Sequence, residues 1–376
     1  MEATLLNYPF QMWKTLRTRI QNWRQQNEKR LEIGLFVGGF LFDAVMVKEP
    51  DEIFAILQQV FYLFTIAIIL HYQLLADLNV WSPGQRVQKI WKYREFLLPF
   101  CLGTLLNVYS IFYIKSASMF SSLIFLVLMI GFILANEHPK VKKSGVSFKI
   151  GLFGICLFSF FAILYPILMG FIGWLPFSLA IATTGGLLSL EYFLVRRKLG
   201  SSHAARQAVL LPSISVLLLF LAFYFLGWIP PVPLSVKEQG VYHLVQAEGG
   251  KYLLSTQKEW WQFWRSGDEE FGARPGDKIY FYAQIYSPAH FSDAVVLHWL
   301  HKDPLGHWQS LDKIPMRIVG GRKDGFRGYT VKANYQPGRW RIQVETKSGL
   351  EISRLYFDVI PEAVNTEARQ FSILTR

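Results

Sequence analysis

The sequence predicts an α-helical polytopic membrane bundle of about seven spans, followed by an all-β, immunoglobulin-like antiparallel sandwich. Of the 376 residues, 52% are hydrophobic and only 18% are charged, whereas an ordinary soluble domain carries about 25% charged residues. The apolar residues form long runs up to about Ile229 and alternate with polar residues beyond it. Basic residues gather in every second connection between the runs. This composition excludes a disordered or collagen-like chain and disfavours a wholly soluble enzyme.

Seven stretches approach the ~20 mostly apolar residues that a helix needs to cross the hydrocarbon layer. Together they define a transmembrane region at 31–229. The first stretch is short and contains Asp43, so whether it crosses completely stays open. The seven are Leu31–Val47, Ile53–Leu75, Phe96–Ile114, Ala117–Leu134, Ile150–Met169, Ile172–Val195 and Ala208–Ile229.

The basic residues predict an orientation. Eighteen Lys and Arg residues lie on one side of the predicted spans, against only Lys48 and Lys115 on the other before the last span ends. Short basic loops stay cytoplasmic, so we expect a cytoplasmic amino terminus and a C-terminal domain on the opposite side of the membrane. Residues up to Ile229 include 20 basic and 11 acidic side chains, so most of the net charge of +12 reflects orientation. A nucleic-acid partner is therefore not expected.

Residues 1–30 form a basic cytoplasmic segment, in which Trp13, Leu16, Ile20 and Trp23 recur at helical spacing. Two interpretations stay open. The segment is either a helix on the membrane surface, attracted by anionic lipids, or a helix whose charges only set the orientation.

Beyond the last span we predict a linker with a Trp-rich segment at 230–270, a β-domain at 271–360 and a loosely ordered tail at 361–376. Turn signals such as Asp303-Pro304-Leu305-Gly306 separate short strands rich in Val, Ile, Tyr and Phe. Strands at this spacing are typical of an immunoglobulin-like sandwich. The six predicted strands are Lys278–Tyr286, Ala294–His301, Ile314–Val319, Tyr329–Ala333, Trp340–Glu345 and Ile352–Val359.

The stretch from His298 onward resembles a bacterial family known only as domain of unknown function 2914. The resemblance covers about the last hundred residues, and it implies a small periplasmic β-domain on an inner-membrane protein without implying a reaction. It is carried by His298-Trp299, Gly306-His307-Trp308, Gly320-Gly321-Arg322, Gly325-Phe326-Arg327, Pro337-Gly338-Arg339-Trp340-Arg341 and the closing Gly349, Arg354 and Phe357.

Arg322 and Arg327 lie near one glycine-rich turn. Their two guanidinium groups are predicted to bind a carboxylate or phosphate together. Trp308 and Trp340 would add stacking faces beside it, and His298 completes the tentative ligand site. The alternative is a tight hairpin in which the arginines pair with Asp324 or with neighbouring strands and the tryptophans fill the core.

No metal, cofactor or catalytic residue is predicted. His298 and His301 lie three apart on a strand, which places them on opposite faces, and Cys101 and Cys156 both lie in apolar runs. The usual nucleophile, zinc and phosphate-binding motifs are missing from the sequence. Enzyme activity stays undecided, with no activity favoured.

Polar residues inside predicted spans are the other candidates for function. They are Asp43, Asn107 and Glu191, with His71 at a similar depth to Glu191. Contact with lipid headgroups is the alternative interpretation of His71 and Glu191, because both lie near the inner ends of their spans.

Taken together, these features predict a membrane-anchored periplasmic module that binds a glycan, lipid or protein of a Gram-negative cell envelope, with the lipid bilayer as a second partner. Two alternatives remain. The bundle is a transporter or a lipid-processing protein that the β-domain regulates, or the chain is a structural subunit of an envelope complex.

Overall fold

The computed structural model describes residues 49–118, 122–138, 145–199, 202–259, 261–262, 265–288, 291–319, 325–362 and 369–376. The predicted segment 1–30, the predicted span Leu31–Val47 and the candidate Asp43 lie outside these residues.

Helices make up the first part of the described chain. They are α1 (Ile53–Asp77), α2 (Gln85–Trp91), α3 (Arg94–Lys115), α4 (Leu123–Glu137), α5 (Val146–Met169), α6 (Trp174–Leu199), α7 (Ser202–Ala205) and α8 (Leu211–Phe225). A π-helical turn at Arg206–Leu210 joins α7 to α8. Pro212 follows this turn, and because proline lacks an N–H and crowds the carbonyl four residues earlier, the helix widens there.

Five helical segments in the described residues are long and apolar enough to cross a membrane, rather than the seven that the sequence predicts. They are α1, α3, α5, α6 and the stretch His203–Phe225. The predicted span Ala117–Leu134 corresponds to α4, which has only 15 residues, or about 22 Å of helix against a hydrocarbon layer of about 30 Å. The chain around Ser118 is not helical, and this shortens α4.

The short helix α4 nevertheless packs along α3 for most of its length. The ring of Phe125 lies 4.7 Å from that of Tyr113 near the end of α3. At the other end of α4, Asn136 donates a 3.1 Å hydrogen bond to the carbonyl of Pro99. The two helices are therefore antiparallel neighbours.

Glycines bring α5, α6 and α8 close together. A Cβ atom on Gly154 would lie 3.4 Å from Leu188, and one on Gly185 would lie 3.3 Å from Leu217. The hydroxyls of Tyr165 and Thr183 meet at 2.6 Å. The Thr-Thr-Gly-Gly stretch at 183–186 thus makes close contacts within a continuous helix.

Eleven strands follow in the described residues: β1 (Ser235–Tyr242), β2 (Leu244–Glu248), β3 (Lys251–Thr256), β4 (Glu270–Ala273), β5 (Ile279–Tyr286), β6 (Ser292–Lys302), β7 (Trp308–Val319), β8 (Phe326–Lys332), β9 (Gly338–Thr346), β10 (Glu351–Pro361) and β11 (Ser372–Thr375). They form three sheets with the orders β1-β5-β8, β4-β10-β9-β6-β7 and β11-β3-β2. All pairs are antiparallel except β4 with β10. All six predicted strands are present.

The first two sheets share one hydrophobic core. Phe281 and Ile285 of β5 enter it from one sheet, and Trp299, Trp340 and Phe357 enter it from the other. Alternation along each strand directs these residues inward and leaves a polar set on the outer face of the five-stranded sheet.

Residues 230–270, predicted as a linker, contain β1 to β3 and the start of β4, and part of the predicted tail forms β11. β11 pairs with β3, with Ser372 opposite Thr256. Because this pairing joins strands more than a hundred residues apart, the local pattern of either segment does not reveal it.

The β-domain contacts one end of the helical bundle. Lys237 of β1 forms a 2.9 Å ion pair with Glu49, just before α1. The hydroxyl of Ser118, after α3, donates to the carboxylate of Glu351 at the start of β10. Ile172, between α5 and α6, packs against the β-domain core. The basic residues at 86–94 and 196–198 lie at the other helix ends.

Candidate functional site

Of the five residues of the predicted ligand site in the β-domain, Arg322 lies outside the described residues, and the other four do not meet at one place. Trp340 is completely buried, its indole N–H donates to the carbonyl of Gln336 at 2.8 Å, and its ring packs edge-to-face against Trp299. Trp340 therefore fills the core and offers no face to a ligand.

His298 belongs to a polar network on the outer face of the five-stranded sheet. Its Nδ1 lies 2.9 Å from a carboxylate oxygen of Glu345 and its Nε2 lies 2.7 Å from the hydroxyl of Ser310. Both ring nitrogens are thus engaged. His301 falls on the opposite face, with its ring 4.9 Å from that of Trp340. Among the described residues there is no group of His, Cys, Asp and Glu that would hold a metal ion.

Arg327 lies on β8, which belongs to the other sheet of the core. Its guanidinium donates a 3.3 Å hydrogen bond to the carbonyl of Gly250 and lies over the ring of Tyr252 at 5.8 Å. Gly325, in the same sequence motif, has a φ of +84° and approaches β5 so closely that a Cβ there would lie 2.6 Å from the carbonyl oxygen of Ile285. This glycine is needed for packing, independently of any ligand.

Trp308 lies on the outer face of the five-stranded sheet, and four of its neighbours make this face cationic and aromatic. The guanidinium of Arg341 lies 4.6 Å from the centre of the Trp308 ring, and the ring of Tyr356 lies 5.7 Å away. Arg339 lies over Tyr356 at 5.7 Å, and Lys302 lies over Trp308 at 6.0 Å. We call Lys302, Trp308, Arg339, Arg341 and Tyr356 the Trp308 face.

Strand register explains why the Trp308 face forms. Arg341 pairs with Tyr356 and Arg339 pairs with Asp358 across β9 and β10, and alternation sends Trp340 between the two arginines into the core. Arg339 has a side chain that is 54% exposed, and its contact with Asp358 is long, at 3.9 Å. The exposed guanidinium of Arg339 is therefore available to an anionic group.

The sequence motif of residues 337–341 contained two members of this face, Arg339 and Arg341. The predicted ligand site included the tryptophan between them instead. Alternation along β9 was the signal that could have separated the two arginines from the core residue Trp340.

A second polar cluster lies between β3 and β4. The carboxylate of Asp268 accepts hydrogen bonds from the Thr256 hydroxyl at 2.7 Å and from the backbone N–H of Gln257 at 2.9 Å. Burial raises the pKa of Asp268 to about 6 and lowers the pKa of His243 to about 4. The two side chains lie 3.8 Å apart, so burial outweighs their mutual attraction. The packing of His243 against Phe271, at 4.1 Å, points to a structural role.

In the helical bundle, His71 and Glu191 lie in direct contact. The Nδ1 of His71 on α1 lies 3.0 and 3.1 Å from the two carboxylate oxygens of Glu191 on α6. Both side chains are largely buried. They lie 120 positions apart in the sequence, and only their similar depth in the predicted spans hinted at the pair.

The His71–Glu191 pair borders a cavity of about 660 Å³ between α1, α5 and α6. Apart from the pair and Tyr72, the lining consists of apolar side chains such as Phe64, Leu157 and Phe161. Asn107, the remaining candidate in the membrane region, is half-buried near the middle of α3 and does not line this cavity.

Residues 292–359 match the model of a family described as "Protein of unknown function (DUF2914)". The match begins six residues before His298 and ends at Val359. It therefore covers β6 to β9 and β10 as far as Val359, including the whole Trp308 face. No curated protein matches the chain.

Three solved structures were compared with the chain. An immunoglobulin-like protein from Pseudomonas aeruginosa is 16% identical, covers 32% of this chain and 96% of its own, and gives a TM-score of 0.19. A β-glucosidase from Listeria innocua in complex with gluconolactone is 9% identical, covers 29% of this chain and 16% of its own, and gives 0.18. An alkylpurine DNA glycosylase from Pseudomonas fluorescens bound to DNA is 11% identical, covers 83% of this chain and 100% of its own, and gives 0.20.

TM-scores this low do not establish a shared fold with any of the three. The family match is the finding that identifies part of the chain: its C-terminal region carries a DUF2914 domain.

Proposed function

We propose that this chain is an inner-membrane protein whose periplasmic, immunoglobulin-like sandwich binds an anionic glycan of the cell envelope. The observation that carries the proposal is the Trp308 face, where the guanidinium of Arg341 stacks on Trp308 beside Tyr356 and the exposed Arg339. Aromatic rings stack on the apolar faces of sugars, and guanidinium groups bind carboxylates through two parallel hydrogen bonds.

The positions of the basic residues support the proposed orientation. The β-domain contacts the helix ends near Glu49 and Ser118, whereas the basic residues at 86–94 and 196–198 lie at the opposite ends. Basic connections stay in the cytoplasm, so the β-domain would be exported. Counted with α4, six helical segments run alternately from one end of the bundle to the other. The predicted span Leu31–Val47 would be the seventh.

The shared core supports the sandwich part of the proposal. Two sheets that bury Phe281 and Ile285 against Trp299 and Trp340 correspond to the two layers of such a fold. The parallel pairing of β4 with β10 at one sheet edge makes the five-stranded sheet mixed. A mixed sheet departs from the purely antiparallel sandwich of the sequence prediction.

A glycan fits the Trp308 face better than a bare anion does. A small anion needs only the guanidinium groups, whereas here Trp308 and Tyr356 place two aromatic side chains 5.7 Å apart between the cations. A sugar acid can use both features at once, because its ring stacks while its carboxylate pairs with Arg339 or Arg341.

Binding of soluble, carboxylate-bearing peptidoglycan fragments to the full-length protein in nanodiscs tests the proposal. Arg341→Gln and Trp308→Leu should each weaken binding at least tenfold, and added salt should weaken it in the wild type because the contact is ionic. Lys251→Gln is the matched control, since Lys251 is an exposed cation on β3, in another sheet.

Neutral chitin oligosaccharides, which have similar rings but no carboxylate, should bind at least tenfold more weakly than the acidic fragments. Equal binding of neutral and acidic sugars, or equal loss in Lys251→Gln and Arg341→Gln, would refute the proposal. Binding of anionic vesicles but not of the fragments would identify a lipid as the ligand instead.

A further inference from the structure

The cavity between α1, α5 and α6 is apolar except at one end. Its lining on α1 runs from Val60 to Tyr72, which corresponds to about 18 Å along the helix axis. One leaflet of a bilayer contributes about half of a 30 Å hydrocarbon layer. The cavity therefore has the length of a single lipid chain in one leaflet.

The polar end of the cavity coincides with the headgroup end of such a chain. His71 lies six residues before the end of α1, and Glu191 lies eight residues before the end of α6. These are the helix ends next to the basic residues at 86–94 and 196–198. A chain that enters with its polar group at His71 and Glu191 thus runs in the same direction as the lipids of that leaflet.

We propose that this cavity binds a long-chain lipid alcohol, with its hydrocarbon chain along α1 and its hydroxyl group on the His71–Glu191 pair. The apolar lining and the volume of about 660 Å³ select a hydrocarbon chain, and ligand pockets of this kind commonly enclose 300–1,000 Å³. The pair supplies the polar recognition.

The chemistry of the pair selects a hydroxyl group. The Nδ1 of His71 is held by Glu191, so Nε2 and the remaining carboxylate lone pairs are the groups that a ligand can use. Nε2 accepts a hydrogen bond when the imidazole is neutral and donates one when it is charged. A hydroxyl both donates and accepts, so it fits either state, whereas a fatty-acid carboxylate would be repelled by Glu191 and a methyl ether cannot donate.

Photolabelling of the full-length protein in phosphatidylcholine nanodiscs tests the proposal. The probe is a photoactivatable long-chain primary alcohol, and mass spectrometry maps the labelled residues. Labels should fall on α1, α5 and α6. Unlabelled alcohol should compete at least tenfold better than the carboxylic acid or the methyl ether of the same chain length.

Two variants locate the binding in the cavity. Ala67→Phe places a large ring among the lining residues and should reduce labelling at least tenfold. Ala222→Phe is its control, because Ala222 is exposed on α8 and does not line the cavity. Glu191→Leu should reduce the preference for the alcohol over the carboxylic acid, because it removes the repelling carboxylate, and should keep chain binding.

Equal competition by the three compounds on the wild-type protein would overturn the proposal, since ordinary contact with bilayer lipids does not discriminate between them. Unchanged labelling in a folded Ala67→Phe protein would overturn it as well. The competition experiment uses only the wild-type protein, so it decides the question even where a variant does not fold.

Discussion

The phenolic hydroxyl of Tyr286 donates a 2.7 Å hydrogen bond to the carboxylate of Asp51. This bond links β5 of the β-domain to the residues that precede α1, and Lys237 reinforces it by pairing with Glu49 and lying over the Tyr286 ring at 5.2 Å. Burial and the neighbouring carboxylates raise the pKa of Tyr286. The phenol therefore stays protonated and continues to donate at any pH at which the protein is handled.

Replacement of Tyr286 by Phe removes this bond and keeps the ring. Hydrogen bonds to charged groups contribute about 1.5–3 kcal/mol, so the free energy of unfolding should fall by about that amount. Hydrogen exchange at residues 49–57 should accelerate. Tyr280→Phe on the same strand is the control and should change either measurement little. Equal effects of the two substitutions would show that the Asp51 bond does not hold the β-domain to the bundle.

Glu351 is a second point of attachment, and it lies within a network. It accepts two hydrogen bonds from Arg354, at 3.0 and 2.6 Å, another from Gln343, at 2.5 Å, and one from the hydroxyl of Ser118. Its side chain is only 8% exposed. Glu351→Ala leaves the Arg354 guanidinium without its carboxylate, and breaking a buried pair in this way costs about 3–5 kcal/mol.

Thermal unfolding of the full-length protein measures that cost. Asp358→Asn is the matched control, because its pair with Arg339 is 3.9 Å long and both side chains are about half exposed. Exposed pairs contribute about 0–1 kcal/mol, so this variant should unfold almost as the wild type does. A small effect of Glu351→Ala would mean that the network contributes little to attachment.

The strands that the sequence predicted correctly are those with strong local patterns. The six runs from Lys278 to Val359 alternate clearly and are bounded by turns, and all six became strands. β11 was missed because it exists through pairing with β3, with Ile373 opposite Ser255. Its own sequence is short and polar at both ends.

Hydropathy identified the long helices but not the length of α4. The run from Ala117 is apolar enough for a span, yet Ser118 leaves the helix to contact Glu351, and the helix begins only at Leu123. Tertiary contacts therefore make this helix shorter than its apolar composition predicts. The His71–Glu191 pair was equally hidden, because helix packing determines which face of α1 meets which face of α6.

The buried carboxyl group of Asp268 should make the stability of the protein depend on pH. Its pKa rises from 3.8 to about 6 on folding, so between these values the folded protein holds a proton that the unfolded chain has lost. The contribution of Asp268 to the free energy of unfolding is fully present below about pH 4 and is lost as the pH rises through 6. The shift corresponds to roughly 3 kcal/mol.

The variant Asp268→Asn keeps an oxygen for Thr256 and Gln257 and removes the charge. Relative to the wild type it should gain stability as the pH is raised from 4 to 7, which thermal unfolding across that range measures. The pKa of His243 falls to about 4, so its own contribution is lost as the pH falls below 6.5. Because His243 is present in both proteins, its contribution largely cancels in the difference between their stabilities. A constant difference between the two proteins would show that Asp268 is not buried as a charged group.

Substitutions of Trp340 and Trp308 should have opposite effects on stability and on glycan binding. Trp340 is completely buried in the shared core, and removing most of such a ring costs about 3–5 kcal/mol. Trp340→Leu should therefore lower the free energy of unfolding by an amount approaching that range. Where the protein remains folded, its affinity for acidic glycan fragments should change little.

Trp308→Leu on the outer face should change stability by less than about 1 kcal/mol and should weaken glycan binding at least tenfold. If both variants lose stability and affinity together, the Trp308 face is part of the folding core and the binding site lies elsewhere.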